Sequence, residues 1–533
     1  MTPIFLIAAL SLLSAAAGQA VPGTQPTVTV SGGPVAGTSV GSVNQFLGIP
    51  FAASPTRFNP PQPAPTWQGT LDATQYKPAC VQQFNYPENA RNNTIQWFST
   101  PGPPAGESED CLYLNVYAPA GAVAGSNKAV MFWIFGGSFT FGTGTLHQYN
   151  GTSFAENQDV IIVTHNYRTN VFGFPGEPEK PTSQQNLGFL DQRLALDWVQ
   201  RNIRSFGGDP TRVILFGEGA GAQSVDVLVT NPPLPVPFIG AIMESGQDSI
   251  STPSTASAQS WPKLVIATNC TTALSALDCV RKVSASDIKS IIEHQQLSFA
   301  PIYDNGTTWK GTGRVDRRSS TPANPRIARV PILIGSNADE GSFVVYGVTD
   351  VRGTLSQVFP PNSSLLINTL LSLYPPNTGN GTVNTQLAAI LNDFLIKCPA
   401  KVVSTETAAV GIPAWRHYFD AAFANTQIFP GAGAYHSAEI NLVFGTYPQA
   451  GATPYHIKLS MAMQKAWADF AKNPAQGPGW QAVPKIAIFG AGVRPGGDDG
   501  TGKPTSVVTS PNQIDRFCPL YQPIYDARIL LSL

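Results

Sequence analysis

A short apolar stretch, Val213-Ile214-Leu215-Phe216, runs into Gly217-Glu218-Gly219-Ala220-Gly221, and residues 222–228 then read as helix. Strand, tight glycine turn and helix in that order form the setting of a G-x-S-x-G nucleophile elbow. In such an elbow the outer glycines let two chain segments approach closely, and the central residue is held strained with its side chain at the sheet's edge. Here the central position is Gly219, which has no side-chain atom with which to attack a carbonyl. Taken alone, G-x-G-x-G also fits a dinucleotide or phosphate loop. The cysteines, Cys80, Cys111, Cys270, Cys279, Cys398 and Cys518, are an even set without a C-x-x-C pair or a histidine spaced to complete a zinc site, so disulfides are expected. Asn92, Asn150, Asn269, Asn305, Asn362 and Asn380 each begin an N-x-S/T triplet and are candidate glycosylation acceptors.

The elements that must carry these residues are legible in outline. Residues 129–135, 160–164, 212–216, 239–244 and 330–335 are short, nearly continuous apolar runs, as expected of strands buried on both faces. Between two of them, residues 186–206 place Leu190, Leu194, Ala195, Trp198, Val199 and Ile203 at helical spacing, with Asp191/Arg193 and Asp197/Arg201 marking a polar side. Strands alternating with helices predict the α/β class, a mostly parallel sheet covered by helices. No linker, repeat or charge run divides the chain, and the Pro-rich stretches 60–65 and 232–237 read as loops within one large domain spanning 19–533.

Composition narrows the role. Lys+Arg 32 against Asp+Glu 33 gives a formal net charge of -1, which supplies no polybasic surface for nucleic acid or acidic lipid. The chain of 533 residues is 42% hydrophobic, enough for a large core, and only 12% charged. That charged fraction is about half the usual value, so solubility falls to neutral polar groups or attached sugar. Residues 4–13 form an apolar run followed by Ser14, Ala15, Ala16, Ala17 and Gly18, the form of a secretory signal over 1–18. The run is too short to span a membrane, which needs about 20 apolar residues. The expectation is a secreted, extracellular protein with no membrane anchor.

Other segments resolve the ambiguity of the glycine turn. They are Gly48-Ile49-Pro50-Phe51-Ala52, Arg57-Phe58 with Pro60-Pro61, Glu109-Asp110-Cys111-Leu112-Tyr113-Leu114-Asn115-Val116, Asn186-Leu187-Gly188 through Asp191-Gln192-Arg193, and Phe206-Gly207-Gly208-Asp209-Pro210. With them the chain resembles the type-B carboxylesterases, the family of cholinesterases and fungal secreted lipases, from Phe46 to Cys518. The resemblance implies an α/β-hydrolase fold, with a large mostly parallel central sheet and helices on both faces. It implies that Glu340, in Gly335-Ser336-Asn337-Ala338-Asp339-Glu340-Gly341, is the acid, and that His436, in Tyr435-His436-Ser437-Ala438-Glu439-Ile440, is the base. The order nucleophile position, acid, histidine agrees with that fold. His147, His165, His294, His417 and His456 lack such a context and read as structural or surface residues.

Phe135-Gly136-Gly137-Ser138-Phe139 resembles the loop that donates backbone N–H groups to an oxyanion, so Gly137, Ser138 and Ala220 are the implied donors. Ser138 departs from the family's glycine. Glu218 and Ser245 are expected behind the reacting groups, Ser245 as a hydrogen-bond partner of the acid and histidine and Glu218 with its carboxylate directed elsewhere. Ser224, five residues on along the following helix, is not expected to substitute as nucleophile. The resemblance also implies the pairing Cys80–Cys111, Cys270–Cys279 and Cys398–Cys518, and structural ion pairs Arg57 with Glu109 and Arg168 with Asp191.

In an ordinary member the serine hydroxyl attacks the ester, the histidine takes its proton, and the carboxylate orients and stabilises the imidazolium. With Gly219 at the nucleophile position, two readings of function stand. One is general-base hydrolysis, or another base-catalysed reaction, on a small apolar ester or lactone, with no cofactor. The other is a pseudoenzyme acting as a binding or adhesion protein, down to an inactive relic. Trp97, Phe98, Phe139, Phe141 and Phe299 suggest that an apolar acyl or aromatic group is accommodated.

Overall fold

A computed structural model describes residues 25–248, 255–379 and 381–532. The signal segment 1–18 and Asn380 lie outside them. Three short strands, β1 (Thr27–Val30), β2 (Gly33–Ala36) and β5 (Leu71–Asp72), form a small sheet. The large sheet has eleven strands. In chain order they are β3 (Thr38–Val40), β4 (Val43–Pro50), β6 (Tyr113–Pro119), β7 (Lys128–Ile134), β8 (Ile161–His165), β9 (Gly208–Glu218), β10 (Gly240–Glu244), β11 (Ile332–Asn337), β12 (Ala414–Ala421), β13 (Ile486–Val493) and β14 (Ser506–Thr509). Across the sheet they run β14-β13-β12-β11-β10-β9-β7-β8-β6-β4-β3. Strands β8 through β13 pair parallel with their neighbours across the middle, and antiparallel pairings close both flanks. This is the expected α/β-hydrolase arrangement.

The continuous apolar runs become the inner strands because helices cover both faces, and β8, β10 and β11 are buried along their whole length. The predicted long helix spans Leu187–Asn202 and buries Leu187, Phe189, Ala195, Leu196, Trp198 and Val199, with a short 3-10 turn to Phe206. Its polar side needs correction. Asp197 and Arg201 do form an exposed pair at 2.8 Å, but Asp191 is buried and bonded to Arg168, Nη2 to Oδ1 at 2.7 Å and Nε to Oδ2 at 2.8 Å. A charge-assisted two-point bond of this kind lets a carboxylate sit inside the fold.

The three disulfides join Cys80–Cys111, Cys270–Cys279 and Cys398–Cys518, closing separations of 31, 9 and 120 residues. Arg57 grips Glu109, Nε to Oε1 at 2.7 Å. Asn92, Asn269, Asn305 and Asn362 are exposed, whereas Asn150 is half-buried with its side-chain oxygen accepting from Thr152 N–H at 3.0 Å. Among the described residues no helix is long and apolar enough to cross a membrane.

Candidate active site

The parallel strands end on one edge, and each delivers part of the site there. Strand β9 stops at Glu218, and the helix Ala220–Thr230 starts two residues later. Gly219 between them has φ 57° and ψ -120°, a conformation that L side chains rarely adopt, and its N–H donates to Glu244 O at 2.9 Å. The flanking glycines serve close approach. A Cβ on Gly217 would lie 2.7 Å from Ile134 O, and one on Gly221 only 1.9 Å from the same oxygen. The sequence GEGAG therefore builds the strained turn of an elbow without the side chain that the turn usually presents.

Past β11, the carboxylate of Glu340 turns back under the sheet edge. Its Oε1 accepts from Asn337 N–H at 2.6 Å and its Oε2 lies 2.7 Å from His436 Nδ1. His436 follows β12 on a loop held by Ala434 N–H to Asp339 Oδ2 at 2.8 Å and by Asn337 Nδ2 to Tyr435 O at 2.8 Å. Phe343 stacks on the imidazole, centroids 5.4 Å apart. A Cβ at position 219 would lie 3.0 Å from His436 Nε2, so the ring addresses the elbow as the resemblance implies.

Glu218 departs from expectation. Its carboxylate does not point away: Oε1 lies 3.0 Å from His436 Nε2 and also accepts from Ser437 Oγ at 2.7 Å. Direction along the strand explains this, because alternation puts residue 218 on the histidine side once the backbone turns at 219. His436 thus has a carboxylate on each ring nitrogen. Burial pulls its pKa down, but the charge and hydrogen bond of Glu218, and then those of Glu340, outweigh burial and raise it well above the ordinary 6.5. The two carboxylates favour the imidazolium form, a proton donor on both sides.

Behind this pair are two more carboxyls. Glu439 accepts from Asn337 Nδ2 at 2.5 Å and titrates at about 8, raised first by burial and then by the charges of Glu218 and Glu340. Glu244 is raised well above 4.5 by burial and by Glu439. In both, burial and neighbouring negative charge favour the neutral acid. Ser245 does not fulfil its expected role. Its Oγ has no hydrogen-bond partner among the described residues.

Gly137, Ser138 and Ala220 line one pocket with Glu218, His436 and Ser437, a space of about 500 Å³ counting its open mouth. Ala220 is the first residue of its helix, so its N–H has no intrahelical acceptor. No acceptor is found for Gly137 N–H or Ser138 N–H among the described residues. Ser138 has φ 55°, the left-handed conformation that makes glycine the family's choice there, and its side chain is exposed at the pocket. Phe98 and Phe141 line the pocket as expected, and Trp97 and Phe98 line an adjoining cavity. Phe139 and Phe299 do not. Phe139 is buried against Phe174 and Phe189, and Phe299 belongs to a separate core cluster with Trp261 and Leu264.

The remaining histidines are away from the reacting groups. His165 and His417 are buried, and burial lowers each to about 3, while His456 is lowered to about 4 between Phe423 and Tyr447. His294 stacks on Tyr86, and His147 lines the adjoining cavity. Ser224 is buried and donates to Ala220 O at 2.9 Å. Ser437, with φ 75°, is the functional candidate that sequence reasoning passed over; adjacency to His436 was its only signal.

A family profile described as the Carboxylesterase family matches residues 24–486. The chain is similar to the acetylcholinesterase of Bungarus fasciatus, 31% identical over 484 residues, which is 84% of this chain and 78% of the relative. It is likewise 31% identical over 518 residues to the fumonisin B1 esterase of Sphingopyxis macrogoltabida, covering 89% and 88%. The para-nitrobenzyl esterase of Bacillus subtilis (strain 168) is 33% identical over 482 residues, covering 85% and 91%. The match takes in every strand that carries a site residue, and the protein belongs to the carboxylesterase family.

Proposed function

We propose that this carboxylesterase-family protein hydrolyses a small apolar carboxylic ester or lactone without forming an acyl-enzyme at position 219. Glu218 is the base that takes the proton of the attacking O–H, and His436, held as imidazolium by Glu340, is the acid that protonates the leaving oxygen. The N–H groups of Gly137, Ser138 and Ala220 hold the oxyanion, the largest single aid such sites offer. The observation that carries this reading is the 3.0 Å contact between Glu218 Oε1 and His436 Nε2. It supplies a base and an acid in one hydrogen bond, and it lets the proton gained by Glu218 pass to His436 after each turnover. The role of base thus moves from His436, where the family places it, to the neighbouring carboxylate. The apolar walls at Phe98, Phe141 and Phe343 support an uncharged acyl or aryl group.

We also read the protein as one secreted domain, a reading supported by three disulfides and four exposed sequons. A second reading, a pseudoenzyme that only binds a carbonyl compound, is favoured by the same ion pair, which satisfies the histidine in the absence of substrate. Hydrolysis of short-chain aryl esters by the purified protein beside its Gly219→Ser variant separates the two. Saturable turnover above buffer by the unmodified protein supports hydrolysis, and turnover only in the variant supports the binding reading.

A further inference from the structure

Resting on the hydrolytic reading above, we propose that Ser437 is the nucleophile of this site. Its hydroxyl donates to Glu218 Oε1 at 2.7 Å, and the same oxygen lies 3.0 Å from His436 Nε2, whose Nδ1 lies 2.7 Å from Glu340 Oε2. Ser437, Glu218, His436 and Glu340 therefore form one unbroken chain of hydrogen bonds that ends on a hydroxyl rather than on residue 219. A serine hydroxyl bonded to a carboxylate base is the arrangement by which a weak nucleophile is activated.

Three further observations single out this hydroxyl. Ser437 lines the same pocket as Gly137, Ser138 and Ala220, so an ester carbonyl held by their N–H groups shares its space. Its φ of 75° is a left-handed conformation that costs a non-glycine residue energy. Strain of this kind holds the serine of an elbow in position, and here it occurs beside the histidine while the elbow residue lacks a side chain. Ser138 is the other pocket serine, but its hydroxyl makes no bond to a carboxylate or to the imidazole, and Ser224 and Ser245 are buried in the core.

The steps balance. The Ser437 Oγ–H proton moves to Glu218 as the Oγ–C bond forms and the carbonyl π pair moves onto the oxygen held by the amide donors. On collapse the ester C–O bond breaks, the departing alkoxide takes the Nε2 proton of His436, and Glu218 returns its proton to His436. Water then adds to the acyl-Ser437 by the same steps, with Glu218 taking the water proton and His436 protonating the departing Oγ. The products are one carboxylic acid and one alcohol, and every group of the protein is restored.

The test uses the full-length protein, a fluorophosphonate probe and an aryl ester. The proposal expects one adduct per chain by intact mass, mapped to the peptide containing Ser437, and a burst of aryl alcohol equal to the protein present. Ser437→Ala is expected to lose the adduct and at least about 100-fold in kcat/KM, a modest part of the roughly 10⁴- to 10⁶-fold that single members of a catalytic unit contribute. A near-UV circular dichroism spectrum of the variant controls for folding. Steady hydrolysis with no burst, no adduct and full activity in Ser437→Ala overturns the proposal and leaves Glu218 acting directly on water. An adduct mapped to Ser138 also overturns it. A protein that neither hydrolyses nor labels overturns both the nucleophile and the hydrolytic reading, whereas labelling at Ser437 without turnover supports the nucleophile alone.

Discussion

A carboxylate meets, at Glu218, the same imidazole nitrogen that a serine hydroxyl addresses in an ordinary member of the family, and the exchange changes what His436 can do. With Oε1 at 3.0 Å and Glu340 at 2.7 Å the ring is favoured in its protonated form, which suits the proposed role of acid. Gly219→Ser tests how much of the older arrangement is latent. The new Cβ would lie 3.0 Å from Nε2, so the His436 ring must give way by a few tenths of an ångström, and the hydroxyl then competes with Glu218 for that nitrogen. Because a working triad adds several orders of magnitude over the oxyanion hole alone, the variant is expected to hydrolyse aryl acetates at least about 100-fold faster than the unmodified protein. The strained φ of 57° makes it less stable by about 1–3 kcal/mol. Steady-state kinetics and a melting curve check both. Gly219, Glu340 and His436 were legible because each is embedded in a recognisable motif. The reach of Glu218 and the hydroxyl of Ser437 were not, since both depend on a backbone turn with positive φ that residue types do not encode.

At the scale of elements, the site depends on how closely the helix Ala220–Thr230 can cross the end of β9. Gly221 is the tightest point, because a Cβ there would meet Ile134 O at 1.9 Å and Ile134 ends the neighbouring β7. Backbone cannot yield as a flexible side chain can. Gly221→Ala is therefore expected to destabilise by about 3 kcal/mol or more, a size reserved for steric failures in a core. A denaturation midpoint within error of the unmodified protein would show that the crossing is looser than described. The inner strands and the Leu187–Asn202 helix followed from apolar runs and helical spacing, since burial on both faces or one face leaves that imprint. The edge strands Thr38–Val40 and Ser506–Thr509 left none, because they are largely exposed and so carry no apolar pattern. Asp191 shows the limit of spacing alone: helical period places it on the polar side, while the family resemblance implied its ion pair with Arg168, which the structure shows buried.

For the whole molecule, two kinds of restraint can be separated by measurement. Cys398–Cys518 closes 120 residues and Cys270–Cys279 only 9, so loop-closure entropy makes loss of the longer bridge costlier by about 2 kcal/mol. Paired Cys→Ser variants compared by denaturation test that difference. Charge supplies the other restraint. Glu439 titrates at about 8 in the fold against an ordinary 4.5, so folding takes up a proton between those values and stability falls as pH rises through them. His436, also raised, contributes fully below 6.5 and loses its contribution as pH climbs through its higher folded value. Both act in one direction, so Tm is expected to fall from pH 6.5 to pH 9, and Glu439→Gln to flatten that fall; a level profile in the unmodified protein would contradict the account of this acid cluster. The central claim concerns catalysis by the intact protein, and the most direct measurement is aryl-ester hydrolysis at pH 7 by the unmodified protein and by Glu218→Gln. Removing one general base costs about 100-fold or more, so the account predicts saturable turnover that falls by that factor in a variant that remains folded. Equal rates for the two proteins, or an unmodified protein no faster than buffer, would contradict it.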